Sequence, residues 1–446
     1  MSRHDKHLSE SEARLLVTQR LSFADAFRVG LHVYFCERCR KLCERLDPEG
    51  LKAFLQAFHG TEDPEDLPTH PDPGAMAKHL QEAYLAQHQV ESLERKIESL
   101  PPAQRRLLLE NLETIPLLAT LIAICKTCKR LFHTSPKDAE DLAALGRELL
   151  AERADELDVD HAVSLEVTLR ALHGNAFRIL GQLRKAERTL RKALKLSRDV
   201  SDPLERAWAW RYLGQTLMCS RRYEEALSAS RKARQIFETV HDAWRVRETV
   251  FLEASIYNDV GDFETSTALL ERMLEDGAQQ DDLILAQSIE HLLALNYLEM
   301  GRAFEARGLL PRVKALASEV GGITVVRAQW LEALILEGLG DLDAAERLLG
   351  EVAERFAEEY PYDYALVTLD RMRALLRLGS VGAAARTVSA LVPMLRGGRV
   401  HAHAVRALRL LAQGGLESER IGRVQAFLRH LQRDPSYTLE EAGLHA

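Results

Sequence analysis

Small and large side chains recur along this chain with a period of forty residues from about position 165 onward. Each unit has a small residue, a large apolar residue three positions later, and further compact residues twelve and nineteen positions after the first. The first small residues of four successive units are Gly174, Gly214, Ala254 and Ala294. Two antiparallel helices that cross closely, and then stack on the next pair, need this arrangement. The pattern predicts an all-α chain of stacked helix pairs.

The pattern continues with slightly shorter spacing, so that six consecutive units agree. It resembles the tetratricopeptide repeat (TPR) family, and the resemblance covers just over half of the chain. The resemblance implies a right-handed α-solenoid whose concave face holds a segment of another protein. The predicted repeats span residues 162–200, 203–240, 243–276, 281–319, 321–358 and 360–396.

The remaining chain divides into smaller segments. Residues 1–46 carry two helix-start signals and an apolar stripe at helical spacing, which predict a compact helical hairpin. Residues 47–102 form a helical connector, in which positions 59–74 hold four prolines and five acidic residues and predict a linker. The solenoid is expected over 103–433, with a degenerate capping pair at 103–132 and 136–155 and a C-terminal cap from 400.

Four potential metal ligands occur in the predicted hairpin: His7, His32, Cys36 and Cys39, with the spacing H-x24-H-x3-C-x2-C. His32 and Cys36 are four residues apart, so they project from the same face of one helix. An antiparallel hairpin brings the start of its first helix, with His7, level with the end of its second. Two imidazoles and two thiolates form a closed tetrahedral set for structural zinc (Zn²⁺).

This spacing is similar to that of the zinc-binding anti-sigma family, over residues 5–46 only. The resemblance implies a head that packs on a sigma factor, with thiol oxidation releasing the metal in some members; Cys43 is then a possible resolving thiol. The chain departs from the family because a proline-rich linker and repeats follow the hairpin. Three alternatives stay open: incidental Cys and His in a hairpin core, His4 as first ligand in place of His7, and an inert, buried Cys43.

A second cysteine pair, Cys125 and Cys128, lies in an apolar helical segment without turn residues. A redox pair or extra metal ligands are one interpretation. Since cysteines are among the most buried residue types, plain packing is the other.

The composition of the chain limits the classes of function that we expect. The chain has 446 residues, a net charge of −8 and a pI of about 6.1. The molecule as a whole therefore lacks the excess of positive charge that is typical of nucleic-acid-binding proteins. It has no apolar run of 18 residues and no signal peptide, so we expect a cytoplasmic protein. Glycine-rich phosphate loops and the HExxH and G-x-S-x-G motifs are absent, so we expect no enzyme.

The repeat register places a set of polar and aromatic residues on the inward face of the first helices. These groove residues are Asn175, Arg178, Trp208, Arg211, Gln215, Asn258, His291, Arg327, Trp330 and Arg373. The arginines and tryptophans suit an extended partner segment that carries carboxylates. The alternative is that these arginines pair with Glu and Asp of neighbouring repeats, with Glu248 as one candidate.

The sequence therefore predicts a protein-interaction and regulatory protein with two binding regions, the zinc hairpin and the groove. The order of hairpin and repeats, ending in EEYPYDYALVTLDRMRALLRLG, also looks like a group of bacterial TPR proteins and implies a signalling adaptor. In one alternative the hairpin is purely structural and the solenoid is a scaffold for a signalling enzyme or protease. In another, the basic run from Arg184 to Arg198 contacts nucleic acid.

Overall fold

Short turns join the helices of this protein into successive pairs. The computed structural model describes residues 13–14, 33, 37–51, 89–110, 115–198, 203–276, 282–357, 360–394, 418–434 and 437–440. The chain forms two compact units, residues 1–217 with 224–249 and residues 218–223 with 250–446. Within the described residues the regular structure is helical.

The first unit contains the helices up to the start of the third repeat. Residues 89–99 are helical, and a 3₁₀ turn spans Ala154–Glu156. The α-helices are α1 (Glu37–Leu46), α2 (Pro102–Glu110), α3 (Leu117–Thr134), α4 (Pro136–Glu152), α5 (Val159–Ile179), α6 (Leu183–Leu196), α7 (Pro203–Cys219), α8 (Tyr223–Thr239) and the first turns of α9 (Ala243–Val260). Helices α3, α4, α5 and α6 pack in sequence order, and α3 also contacts α5.

The second unit continues the same alternation. Its helices after α9 are α10 (Phe263–Glu275), α11 (Leu283–Glu299), α12 (Ala303–Val320), α13 (Ile323–Leu339), α14 (Leu342–Phe356), α15 (Pro361–Arg377), α16 (Val381–Met394) and α17 (Ser418–Arg433). First helices of neighbouring pairs touch, α11 with α13 and α13 with α15, and α17 packs on α15. This contact pattern is that of stacked helix pairs.

The small residues of the forty-residue register lie where the two helices of a pair meet. Ala186, Ala226, Ser266 and Ala306 have no exposed surface. A Cβ added to Gly174 in α5 would lie 2.6 Å from Cγ of Leu190 in α6. The helices therefore approach too closely for a larger residue, as the sequence pattern predicts.

The turn within each pair uses one left-handed residue at the same register position. The glycines with positive φ there are Gly181, Gly261, Gly301, Gly340 and Gly379. The residue after each turn glycine donates its N–H to the carbonyl of the large register residue five positions earlier, for example Asp262 to Tyr257 at 2.9 Å. This hydrogen bond closes the helix as a Schellman motif. In the second pair Arg221 takes the left-handed position, with φ 59°.

One predicted helix differs from the structure. The single helix expected over 103–132 is divided, because α2 ends at Glu110 and α3 begins at Leu117. Pro116 immediately precedes α3 and disfavours a helical conformation of the residue before it. Of the expected C-terminal cap, α17 lies within the described residues, and positions 395–417 lie outside them.

The close approach at Gly174 gives a stability prediction. Gly174→Ala should destabilise the protein by about 1–3 kcal/mol, because the new methyl group overlaps buried Leu190. Gly308→Ala is the matched control, since its Cβ on the exposed side of α12 meets nothing within 4 Å. This control should gain about 0.5–1 kcal/mol from helix propensity. Urea unfolding followed by circular dichroism measures both; equal shifts in the two variants would contradict the packing argument.

Candidate functional site

Trp208 on α7 lies at the centre of a group of cationic side chains in the first unit. The Arg245 guanidinium lies 5.2 Å from its ring centroid, the Arg211 guanidinium 5.4 Å, and the Lys129 ammonium 5.5 Å. Tyr212 packs beside the indole, with ring centroids 5.5 Å apart. We call these five residues the Trp208 cluster. Its members come from the first helices α3, α7 and α9, so the cluster lies on the face that the register assigned to the groove.

Packing holds the cluster in place. Trp208 meets Phe237 of α8 edge to face, with centroids 5.9 Å apart, and Phe237 is fully buried. Burial raises the pKa of Tyr212 to about 12, so its hydroxyl stays protonated at neutral pH. The packing therefore fixes the position of the indole and of the cations around it.

Acidic groups balance part of the positive charge. Arg211 pairs with Glu248 of α9 at 3.0 Å, and both side chains are largely buried. Arg245 pairs with Asp242, which also accepts a hydrogen bond from the Arg245 backbone N–H at 3.1 Å and so caps α9. The buried Nε atoms of Arg211 and Arg245 have no hydrogen-bond partner among the described residues. The cluster thus keeps buried donors beside its two ion pairs.

The other predicted groove residues of the first unit lie nearby in the fold. Asn175 is buried on α5 and accepts a hydrogen bond from Arg178 Nε at 2.9 Å. The charges of Arg211 and then Arg178 lower the pKa of Tyr212, against the larger effect of burial. The side-chain oxygen of Gln215, one turn beyond Arg211, is buried without a hydrogen-bond partner among the described residues.

In the second unit, the predicted groove residues form internal polar contacts. Arg373 makes a bidentate ion pair with Glu337, at 2.9 and 2.8 Å, and Arg327 contacts Asp363 at 3.5 Å. The indole N–H of Trp330 donates to Asp370 at 2.9 Å. These contacts are the alternative considered for the groove arginines, so the excess of cations expected there from the sequence is cancelled in this unit.

Asn258 and His291 belong to the same face. Asn258 donates to Asn296 at 2.7 Å, and Asn296 donates to Ser266 at 2.8 Å, which joins α9, α10 and α11. Burial, with a smaller contribution from the Arg327 charge, lowers the pKa of His291 to about 4. The imidazole is therefore neutral at pH 7.

A common sequence separation relates these contacts. Arg211 and Glu248, Arg327 and Asp363, and Trp330 and Asp370 are 37, 36 and 40 residues apart. One repeat is about forty residues long, so each contact joins a first helix to the first helix of the next repeat. An acidic residue 36–40 positions after a groove arginine or tryptophan was therefore the sequence signal that could have predicted these contacts.

Lys129 and Arg245 were not among the predicted groove residues. Lys129 comes from the capping pair, which lies outside the regular register, and no periodicity links it to Trp208. Arg245 lies 37 residues after Trp208, at the separation that relates first helices of successive repeats, and could have been found from it.

The cysteines lie in packed surroundings. Cys125 and Cys128 on α3 are buried, and burial raises the pKa of Cys125 to about 12 and that of Cys128 well above its usual range. Both thiols are protonated at neutral pH, which suits packing better than redox reactivity. Cys43 is also buried, and burial raises its pKa to about 11.

The predicted zinc ligands fall mainly outside the described residues. His7, His32 and Cys36 are among the positions not described, and Cys39 is buried in α1, one turn before Cys43. In the described part of the chain no three His, Cys, Asp or Glu side chains are grouped to hold a metal ion. Zinc binding stays a prediction from the spacing.

His291 gives a prediction for the pH dependence of stability. Below pH 6.5 the unfolded chain takes up a proton on this imidazole, whereas the folded protein does so only near pH 4. Stability should therefore fall by roughly 2 kcal/mol between pH 7 and pH 5 through this residue. His291→Leu should show a smaller loss than wild type when the urea midpoints at the two pH values are compared. An unchanged loss would show that His291 titrates alike in both states.

Comparisons with known proteins agree with this architecture. Residues 165–239 match the Tetratricopeptide repeat family. A search of curated proteins gave no match. Within the described residues, no helix is both long and apolar enough to cross a membrane.

Two solved structures share the fold. The apo form of RapI is 14% identical, with a TM-score of 0.52 over 78% of this chain and 98% of RapI. Aspartyl phosphate phosphatase F from Bacillus subtilis is 14% identical, with a TM-score of 0.50 over 94% of this chain and 98% of that protein. At this identity the likeness concerns the fold alone. Residues 165–239 thus match tetratricopeptide repeats, and the described residues form a helical solenoid fold of that type.

Proposed function

We propose that this chain is a non-enzymatic protein-interaction and regulatory protein that holds an extended segment of a partner against the Trp208 cluster. Stacked helix pairs of this kind present long surfaces to other proteins. The observation that carries the proposal is the convergence of Lys129, Arg211 and Arg245 on one indole. Arg and Trp are the residue types that most often dominate the energy of protein interfaces.

The partner segment carries a carboxylate at this point. Arg guanidinium groups bind carboxylates through paired hydrogen bonds, and the buried Nε atoms of Arg211 and Arg245 are donors still to be matched. The proposal is confined to the first unit, because Arg211 and Arg245 keep these buried donors beside their ion pairs, whereas no such buried guanidinium nitrogen is found on Arg327 or Arg373 among the described residues of the second unit. Aromatic packing and charge together fix one side chain of the partner, while the rest of the segment lies along the first helices.

Lys129→Gln/Arg245→Gln tests this function with little cost to the fold. Lys129 is exposed, and Asp242 keeps its hydrogen bond to the α9 backbone when Arg245 is replaced. Full-length protein is used as bait in a lysate of the native host, and captured proteins are quantified by mass spectrometry. The double variant should lose its specific partners by about tenfold or more, because the anchor for the carboxylate is gone.

The matched control is Arg272→Gln/Arg307→Gln, which removes two exposed charges from the second helices α10 and α12. It should retain the partners of wild type. Partners that stay bound to Lys129→Gln/Arg245→Gln would exclude the Trp208 cluster as the binding site. Thermal melting of both variants checks that each remains folded.

The zinc hairpin remains a second proposal, supported by the spacing of His7, His32, Cys36 and Cys39. When bound, the metal would join the two helices of a segment whose own core is small. In the sigma-factor version, this head binds a sigma factor in the cytoplasm and releases it after thiol oxidation or partner capture. The scaffold version keeps the hairpin purely structural and has the repeats hold a signalling enzyme or protease.

Metal content tests the hairpin. Purified under reducing conditions at neutral pH, the full chain should carry about one equivalent of zinc by elemental analysis. Cys36→Ser/Cys39→Ser should lose it, since half of the ligands are gone. Cys125→Ser/Cys128→Ser has the same number of substitutions outside the hairpin and should keep the metal. Wild-type protein without zinc would remove both versions of the proposal.

A further inference from the structure

The opposite face of α7 carries a second feature, which the Trp208 cluster does not use. Trp208 and Trp210 are two positions apart on one helix, so they point roughly 200° apart around its axis. Trp210 and Arg206 lie at a cleft of about 470 Å³ between α6, α7 and α8. The residues that line this outer cleft are Arg191, Leu194, Lys195, Arg198, Arg206, Trp210, Lys232, Gln235 and Ile236.

The rim of the outer cleft is cationic. Five of its nine described lining residues are Arg or Lys, and none is acidic, although the whole chain has a net charge of −8. Arg191 is engaged by Glu187 at 2.8 Å and Glu225 at 3.6 Å. Among the described residues, Lys195 and Lys232 have no ion-pair partner within 4 Å. Like charges gathered in this way repel one another and favour an anionic ligand.

The floor of the outer cleft is apolar. Leu194, Trp210 and Ile236 are half-buried, and the last two pack against the core around Phe237. An apolar centre surrounded by a charged rim is the arrangement of protein interfaces, where a tryptophan in the centre supplies a large share of the binding energy.

The position of Lys232 separates two possible ligand classes. Its ammonium lies 4.4 Å from the centroid of the Trp210 ring and occupies one face of the indole. Proteins that bind single-stranded nucleic acids stack bases on open aromatic faces along a basic track. The covered indole, the apolar floor and the negative net charge together favour a short protein segment over a nucleic acid.

We infer that the outer cleft is a binding site for an acidic segment of a protein partner, in which one large apolar side chain is flanked by Asp and Glu. The apolar side chain lies on Leu194, Trp210 and Ile236, and the flanking carboxylates meet Lys195 and Lys232 on the two sides. This site is separate from the Trp208 cluster and does not depend on the function proposed for it. Helix α7 then contributes to two binding surfaces.

Fluorescence anisotropy with three labelled probes tests the inference on the full-length protein. The first probe is the peptide Glu-Asp-Glu-Leu-Phe-Asp-Glu-Glu, and the second has Ser-Ser in place of Leu-Phe. The third is a single-stranded DNA oligonucleotide with the same net charge. The first probe should bind about tenfold more tightly than either of the others, because only it fills the apolar floor.

Charge reversal locates the binding. Lys195→Glu/Lys232→Glu should weaken binding of the first peptide by about tenfold or more, since both flanking charges now repel it. Arg188→Glu/Lys192→Glu makes the same change in net charge on exposed positions of α6 outside the cleft, and should bind as wild type does.

Each contrary result overturns the inference. If the two charge-reversed variants lose affinity for the first peptide equally, the attraction to α6 is non-specific. If the two peptides bind wild type equally well, the apolar floor does not contribute to binding. Tighter binding of the oligonucleotide would make the cleft a nucleic-acid site. If Lys129→Gln/Arg245→Gln no longer binds the first peptide, the peptide binds at the Trp208 cluster instead. If this variant binds the first peptide as wild type does, the two sites are distinct. No binding of the first peptide to wild type would also reject the site.

Discussion

The close approach of two helices within each repeat is the constraint on which the other features depend. Gly174 lies directly against Leu190, and the equivalent alanines of three later repeats, Ala254, Ala294 and Ala333, are fully buried. Because the approach fixes how each first helix is rotated against its second, it decides which side chains point away from the pair. The direction in which the groove side chains point, and the choice of polar residues that join one repeat to the next, follow from that rotation.

Contacts between first helices then decide where charge remains. Arg327 and Arg373 are paired with acids about one repeat away, so their charges stabilise the stacking of the second unit. Around Trp208 three cations converge on the indole from α3, α7 and α9, and two of them, Arg211 and Arg245, also pair with acids. What distinguishes this place is that the buried Nε atoms of both arginines have no hydrogen-bond partner among the described residues.

Helix α7 is central to both proposals because its two faces differ in surroundings. Trp208 lies among two arginines, a lysine and an aromatic core, and the arginines are also paired with Glu248 and Asp242. Trp210 has a lysine over one face and an apolar floor beside it, in an open cleft with a cationic rim. One helix can thus present two surfaces of different chemistry to two partner segments, which suits a protein that brings others together.

The sequence by itself determined the repeat architecture and the face on which the groove residues lie. Its small residues recur at a spacing that only stacked helix pairs satisfy, and Trp208, Arg211, Trp330 and Arg373 were all identified from that register. The division at Pro116 was missed because the apolar pattern runs through it, although a proline is a local signal. In the sequence, the outer cleft was visible only as the basic run from Arg184 to Arg198. The spacing of residues does not show that this run packs against Trp210 and Lys232.

Only the tertiary structure decided which of the groove charges are paired. Arg211 and Arg373 look alike in the sequence, yet Arg373 pairs with two acids, Glu337 and Asp370, while Arg211 pairs with Glu248 alone and keeps a buried Nε without a hydrogen-bond partner among the described residues. The reason is physical. Periodicity fixes the direction of a side chain on its own helix, whereas the charge that remains depends on distances of a few ångströms to residues on other helices, and these are set by the packing of the whole unit.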